Sequence, residues 1–256
     1  MLLLKARLKK LMMTSSEESK HPKDLLIDAD YLIYGIGFAS EEDSEKFAKS
    51  RLVDTVEDLV YIHLKADTYQ AYLTGKKNYR YEIAKTVPYK GNRKDMKKPK
   101  HYEALREHMI TRLGAVLVEG QEADDEVAIQ MSVNVDKYLL VGVDKDLRQI
   151  PGWHHNPSKA KTEYITDFDG YKSFCTQLLT GDRIDNIPGL EGIGPKKAEK
   201  ALKDCTTKEE LLKAAYDKYL ELEKSYEYFV EQGQLLWLRR KEGELWLPDQ
   251  NILQSK

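Results

Sequence analysis

The sequence predicts an α/β fold, with a central, mostly parallel sheet flanked by helices and a helical region after it. Short apolar runs alternate with stretches of helical periodicity over the first two thirds of the chain, the order that yields parallel strands joined by right-handed crossovers. Two of those runs, Leu25-Leu26-Ile27 and residues 138–143, lead directly into an aspartate. Beyond Thr180 the pattern is almost wholly helical around one glycine-rich break at Gly189 to Gly194.

Residues 1–22 start MLLLKARLKKLMM, turn polar, and are expected to be a leader outside the fold. Lys5, Arg7, Lys9 and Lys10 interrupt the apolar letters and no small-residue cleavage site follows, which argues against a secretory signal. The core is expected over 23–167. Its first strand is the apolar run that ends at Asp28, with the look of a strand buried on both faces. Residues 50–65 carry Leu52, Val56, Leu59 and Leu64 at helical spacing behind a serine cap. A strand over 68–73 follows, then a basic stretch over about 76–100 that Pro88, Gly91 and Pro99 keep from being one continuous element. Next come a helix over 101–113, a strand over 115–118, a helix over 123–131 and a strand over 138–143, with one more strand over 162–166. Asp167 and Asp169 read as caps of a helix that runs to Thr180, so a second, helical region is placed over 168–256.

Composition excludes several classes. The 256 residues are 41% hydrophobic and 33% charged, and no apolar run approaches the ~18 residues of a spanning helix. The 2 cysteines, Cys175 and Cys205, cannot build a disulfide framework, so the chain reads as intracellular, a cytoplasmic protein. The net charge of −2 points to no partner, but its distribution is uneven. Between Lys76 and Lys100 stand Lys76, Lys77, Arg80, Lys85, Lys90, Arg93, Lys94, Lys97, Lys98 and Lys100 against only Glu82 and Asp95.

Four motifs carry the acids: Ile27-Asp28-Ala29-Asp30, Glu122-Ala123-Asp124-Asp125, Val143-Asp144-Lys145-Asp146, and Gly181-Asp182-Arg183-Ile184-Asp185. In an open α/β sheet, ligands bind beyond the carboxyl ends of the strands, where Asp28, Asp144 and the Glu122 to Asp125 group are predicted to emerge. So many carboxylates in one place repel one another unless cations neutralise them. Oxygen donors without His or Cys suit hard ions such as Mg²⁺ or Mn²⁺, and two such ions are a common apparatus for phosphodiester cleavage. Taken singly, each acidic motif also reads as helix caps and dipole partners.

The basic stretch contains Val87-Pro88-Tyr89-Lys90-Gly91-Asn92-Arg93. Its Lys and Arg suit phosphates and Tyr89 offers a stacking face for an unpaired base, although a solvated charge run is the plainer reading. In Ile187 to Ala198, Gly192 and Gly194 allow a tight turn and Pro195 suits the first position of a helix. Amides there, with Lys196 and Lys197, form a cradle that holds a duplex backbone without reading bases. His154 and His155, being adjacent, point in different directions and are not read as a joint metal site.

The ordered motifs IDADYL, PYKGNRK, GQEADDEVA, LLVGVDKDL and LTGDRIDNIPGLEGIGPKKA, with the late GQLLWLRRKEGELWLP, resemble the 5′-nuclease superfamily of flap endonucleases and 5′-3′ exonucleases. The resemblance runs from about residue 24 to about 248 and is nearest the bacteriophage branch. It implies a core of the PIN-like kind with a helix-hairpin-helix region behind it. By this resemblance Asp28, Glu122, Asp124 and Asp125 would surround one divalent ion, and Asp144, Asp146, Asp182 and Asp185 would hold a second. Lys90 and Arg93 would contact the scissile phosphate, and carbonyls of Gly189, Gly192 and Gly194 would bind a potassium ion. The implied partner is DNA bearing a 5′ end or flap, or a strand begun by an RNA primer, during replication or recombination, with no membrane involved. For a phage-encoded chain the place of action would be the host bacterial cytoplasm. One departure stands out: the family usually has an aspartate after the second strand, where this chain has Gly75. That keeps open the alternative of a non-catalytic flap- or duplex-binding protein with a degraded metal site. An aspartyl phosphatase built on Asp28 is disfavoured by Leu32, where that class prefers Thr or Val, and by the hairpin, which it does not need.

Overall fold

The computed structural model describes residues 21–93 and 96–254. The leader expected over 1–22 therefore lies, up to Lys20, outside the described residues, as do Lys94 and Asp95 of the basic stretch. The sheet has six strands in the order β3-β2-β1-β4-β5-β6: β1 Asp24–Asp28, β2 Thr68–Thr74, β3 Val116–Val118, β4 Tyr138–Val141, β5 Gly152–Asn156 and β6 Lys161–Ile165. All neighbours run parallel except β5 and β6. The expected mostly parallel sheet is therefore present.

Its residue pattern follows from burial on both faces. Leu25 and Ile27 of β1, Leu73 of β2 and Leu139 and Val141 of β4 pack on one side against α1 (Asp30–Ala39), α2 (Glu45–Glu57) and α4 (Tyr102–Leu113). Leu26, Tyr72 and Leu140 point to the other side, onto Val127 and Met131 of α5 (Ala123–Val133). Leu25, Leu26 and Ile27 are all buried, which is why β1 reads as an unbroken apolar run.

Three expectations are corrected. The helix expected over 50–65 starts earlier: Ser44, not Ser50, is its cap, accepting from the Phe47 amide at 3.3 Å, and the last turns, Asp58–His63, widen to a π-helix. The fifth strand was not predicted. Its sequence, GWHHN, has one large apolar side chain, and it is recruited by pairing Trp153 and His154 with Leu139 and Leu140. Asp167 and Asp169 lie inside the first turn of α6 (Asp167–Thr180), and the cap itself is Thr166, which accepts from the Asp169 amide at 3.1 Å.

The helical region consists of α6, α7 (Pro195–Leu202), α8 (Lys208–Glu221), α9 (Tyr226–Leu236) and α10 (Gln250–Gln254), and it has its own core around Phe174, Leu178, Leu211, Tyr219, Phe229 and Trp246. Pro195 is the first residue of α7, as predicted from its fixed φ. The short helix α3 (Arg80–Ile83) begins the basic stretch. No helix among the described residues is long and apolar enough to cross a membrane.

Candidate active site

Parallel pairing brings β1 and β4 out side by side at their carboxyl ends, so Asp28 and the segment with Asp144 and Asp146 face the same opening. Glu122 caps α5 and Asp124 sits in its first turn. Asp185 arrives from the loop that the Asp182–Ile187 bridge closes. These six acids, with Asp30, line one cavity of about 620 Å³, and Lys90, Arg93 and Arg106 stand on its walls.

The electrostatics divide the acids into two groups. Burial, then the charges of Asp30 and Asp144, push Asp28 well above the ordinary carboxylate range. Burial, then Glu122 and Asp125, do the same to Asp124. Burial, then Asp144 and Asp182, raise Asp146 to about 8. The other group is already neutralised by lysines. Burial would raise Glu122, but the Lys90 ammonium, paired with it directly, and the Arg80 guanidinium together outweigh burial and hold it low. Asp182 is 2% exposed; burial opposes its ionisation, and Lys145 at 2.9 Å reverses the balance. Asp185 stands between the two groups: it takes the Arg93 guanidinium and lies 3.7 Å from Lys90, yet burial outweighs these cations and leaves it raised.

Among the described residues no three acids, histidines or cysteines stand close enough together to enclose an ion as they are. Lys90 and Lys145 are drawn onto Glu122 and Asp182 and occupy those carboxylates. The donor chemistry still fits hard divalent cations. All the lining acids offer oxygen, and Asp28, Asp124 and Asp146 have no charge partner of opposite sign strong enough to keep them low.

Several expected roles change. Asp125 does not reach the cavity. It is buried in a bidentate pair with Arg80, at 2.5 and 2.8 Å, and it also accepts the amides of Glu122 and Arg239, both at 3.1 Å. Asp182 also lies off the cavity lining, turned to Lys145 and to the Ile184 amide at 2.7 Å. Tyr89 is no stacking platform: it is 3% exposed, and its hydroxyl lies 3.0 Å from Glu122 Oε2 and 2.8 Å from Asp185 Oδ2, donating its one proton to one of them at a time. The hairpin carbonyls named for potassium are occupied within the chain. Gly189 O accepts from the Tyr228 hydroxyl at 2.8 Å, Gly192 O from the Lys197 ammonium at 2.9 Å, and Gly194 O from the Lys197 and Ala198 amides, each at 3.0 Å. Lys197 is thereby engaged in the turn, whereas Lys196 stays exposed beside the start of α7. His154 is buried, with Nε2 against the Ile150 carbonyl at 2.8 Å, and burial lowers it to about 4.

Sequence reasoning quoted Asp30 without assigning it, and it gave no role to Arg80, Arg106 or Lys145. Asp30 had a signal, its position two residues after a strand-ending acid. The arginine and lysine partners had none, because their pairings join positions up to 76 residues apart.

The sheet order, the acids gathered at its strand ends and the helical hairpin region define a fold shared with known nucleases. It matches the T5 D15 protein co-crystallised with metal ions at TM-score 0.59 and 18% identity, over 83% of this chain and 88% of that one. It matches the catalytic core of Rad2 in complex with DNA substrate at TM-score 0.51 and 15% identity, over 85% of this chain and 73% of that one. No protein-family model matches the sequence. Flap endonuclease Xni of Shewanella sp. (strain W3-18-1) is 28% identical over 201 residues, 72% of this chain and 76% of the relative. The 5′-3′ exonuclease of Aquifex aeolicus is 34% identical over 108 residues, 37% of each chain. DNA polymerase I of Pseudomonas aeruginosa is 32% identical over 149 residues, which span 52% of this chain but only 16% of the polymerase. The chain is thus similar in sequence to flap endonucleases, 5′-3′ exonucleases and DNA polymerase I, and the phage exonuclease fold is among its structural neighbours.

Proposed function

We propose that this chain is a structure-specific 5′-3′ exonuclease and flap endonuclease that hydrolyses DNA phosphodiesters at or near 5′ ends with two divalent ions, Mg²⁺ or Mn²⁺, in replication or recombination. The observation that carries this reading is the single cavity in which acids from four distant motifs face Lys90 and Arg93. Divalent ions, when bound, supply an activated water and positive charge at the phosphate.

The chain's own groups do the rest. Asp28, Asp124 and Asp146 offer the carboxylates that most need a cation. Glu122 and Asp185 hold Lys90 in place, and Asp185 together with the Ile184 carbonyl, 3.1 Å from Arg93 Nε, holds Arg93. Two fixed cations facing the acids meet the charge that develops on a phosphate in the transition state. Tyr89, locked between Glu122 and Asp185, is a strut that positions both carboxylates. Asp182 holds Lys145 over the Asp144–Asp146 segment. The turn at Gly192 and Gly194, with Lys196 at the start of α7, anchors the duplex by its backbone and so sets how far the cut falls from the 5′ end. The resemblance-based potassium site would require Gly189 and Gly192 to exchange their present donors for an ion.

The test is incubation of 5′-flap, nicked and blunt duplexes, labelled at the 5′ strand, with Mg²⁺ and separately with EDTA. Cleavage near the 5′ junction with Mg²⁺ alone is expected. Binding of the flap without cleavage in either buffer would favour the non-catalytic alternative.

A further inference from the structure

The acid missing at Gly75 has no room to return. A Cβ on Gly75 would stand 2.4 Å from the Val118 carbonyl oxygen and 2.7 Å from the Glu119 carboxylate, and the Gly75 amide is tied to that same carbonyl at 2.7 Å. The strand end is closed to any side chain. The carboxylate found beside it comes instead from Asp30, at the start of α1. Asp30 accepts the amide of Thr74, the residue before Gly75, at 3.1 Å. It lines the same cavity as Asp28 and Asp124, and its side chain is 29% exposed. Arg106 of α4 closes the arrangement, donating to Asp30 at 3.2 Å and to the Thr74 carbonyl at 2.5 Å.

We infer that Asp30 supplies the negative charge on the Asp28 side of the metal centre that residue 75 does not, and that Arg106 is the counter-charge that tunes it. The two side chains then act on a bound divalent ion with opposite signs. Asp30 attracts the ion and Arg106 repels it, both across the same cavity. A purely structural pair would behave otherwise, because Asp30 and Arg106 would be needed together and their loss would act alike. This inference rests on the metal-dependent reading above.

The experiment titrates Mn²⁺ alone into the full chain and follows free Mn²⁺ by its electron paramagnetic resonance signal, without DNA. Asp30→Asn keeps an oxygen for the Thr74 amide and removes the charge. It is expected to weaken Mn²⁺ binding by about tenfold, the lower end of what residues supporting a metal site contribute. Arg106→Gln is expected to tighten binding severalfold. Thermal melts check that each variant folds; should Asp30→Asn fail to fold, the sign of the Arg106→Gln change decides alone. Unchanged binding in Asp30→Asn, or weaker binding in Arg106→Gln, would overturn the inference. Asp124→Asn is run beside them. Mn²⁺ binding lost there but kept in Asp30→Asn defeats only the role of Asp30, whereas a wild-type chain that binds no Mn²⁺ defeats the metal-dependent reading itself.

Discussion

At the scale of single residues, the site holds acids that the fold disfavours in their charged form. Asp146 titrates near 3.8 when unperturbed and is raised to about 8 in the fold, by burial first and by Asp144 and Asp182 next. Between those two values the folded chain binds a proton that the unfolded chain does not. Stability of the metal-free protein therefore rises as pH falls from above 8 toward 5. Glu122 and Asp182 are shifted the opposite way, so their contribution is lost only at more acid pH, as each is protonated. Melting temperatures in EDTA across that range are expected to climb on acidification, and saturating Mg²⁺ is expected to flatten the trend. By the same logic Asp124→Asn raises the melting temperature of the metal-free chain while abolishing cleavage and leaving duplex binding intact. A variant that cuts at the wild-type rate would remove Asp124 from the chemistry.

At the scale of elements, the buried Arg80 guanidinium joins three parts of the chain. It pairs with Asp125 of α5 and donates to the carbonyls of Leu235 and Trp237, each at 2.9 Å. The basic stretch, the helix that presents Glu122 and Asp124, and the end of α9 are thus fixed to one another. Arg80→Met leaves the Asp125 charge buried without its cation and is expected to cost about 3–5 kcal/mol by denaturant unfolding. The double variant with Asp125→Leu is expected to recover part of that loss. Much of this level was legible beforehand. Leu25 to Ile27, residues 138–143 and Pro195 announce their elements because burial on both faces and a fixed φ leave a local imprint. Arg80 and Tyr89 leave none. Each looks like one more member of a solvated charge run until folding places a carboxylate beside it, and Asp125 is no more legible, because it sits next to Asp124, which faces the cavity, and differs from it only in direction. The second strand's missing acid was legible, but the steric closure at Gly75 that explains it was not.

At the scale of the whole molecule, the proposed function makes the carboxyl edge of the sheet and the hairpin region two ends of one DNA site, the first acidic and the second exposing Lys196. Lys196→Ala is expected to weaken duplex binding and to reduce by about one the slope of log affinity against log salt, as loss of one phosphate contact does. An unchanged slope would place the anchor elsewhere. The central claim is that acids far apart in the chain close into a single divalent-metal centre, and crystals soaked in Mn²⁺ test it most directly. Anomalous difference density is predicted between Asp28, Asp124 and Asp146. Density confined to other surfaces, with those carboxylates bare, would contradict it.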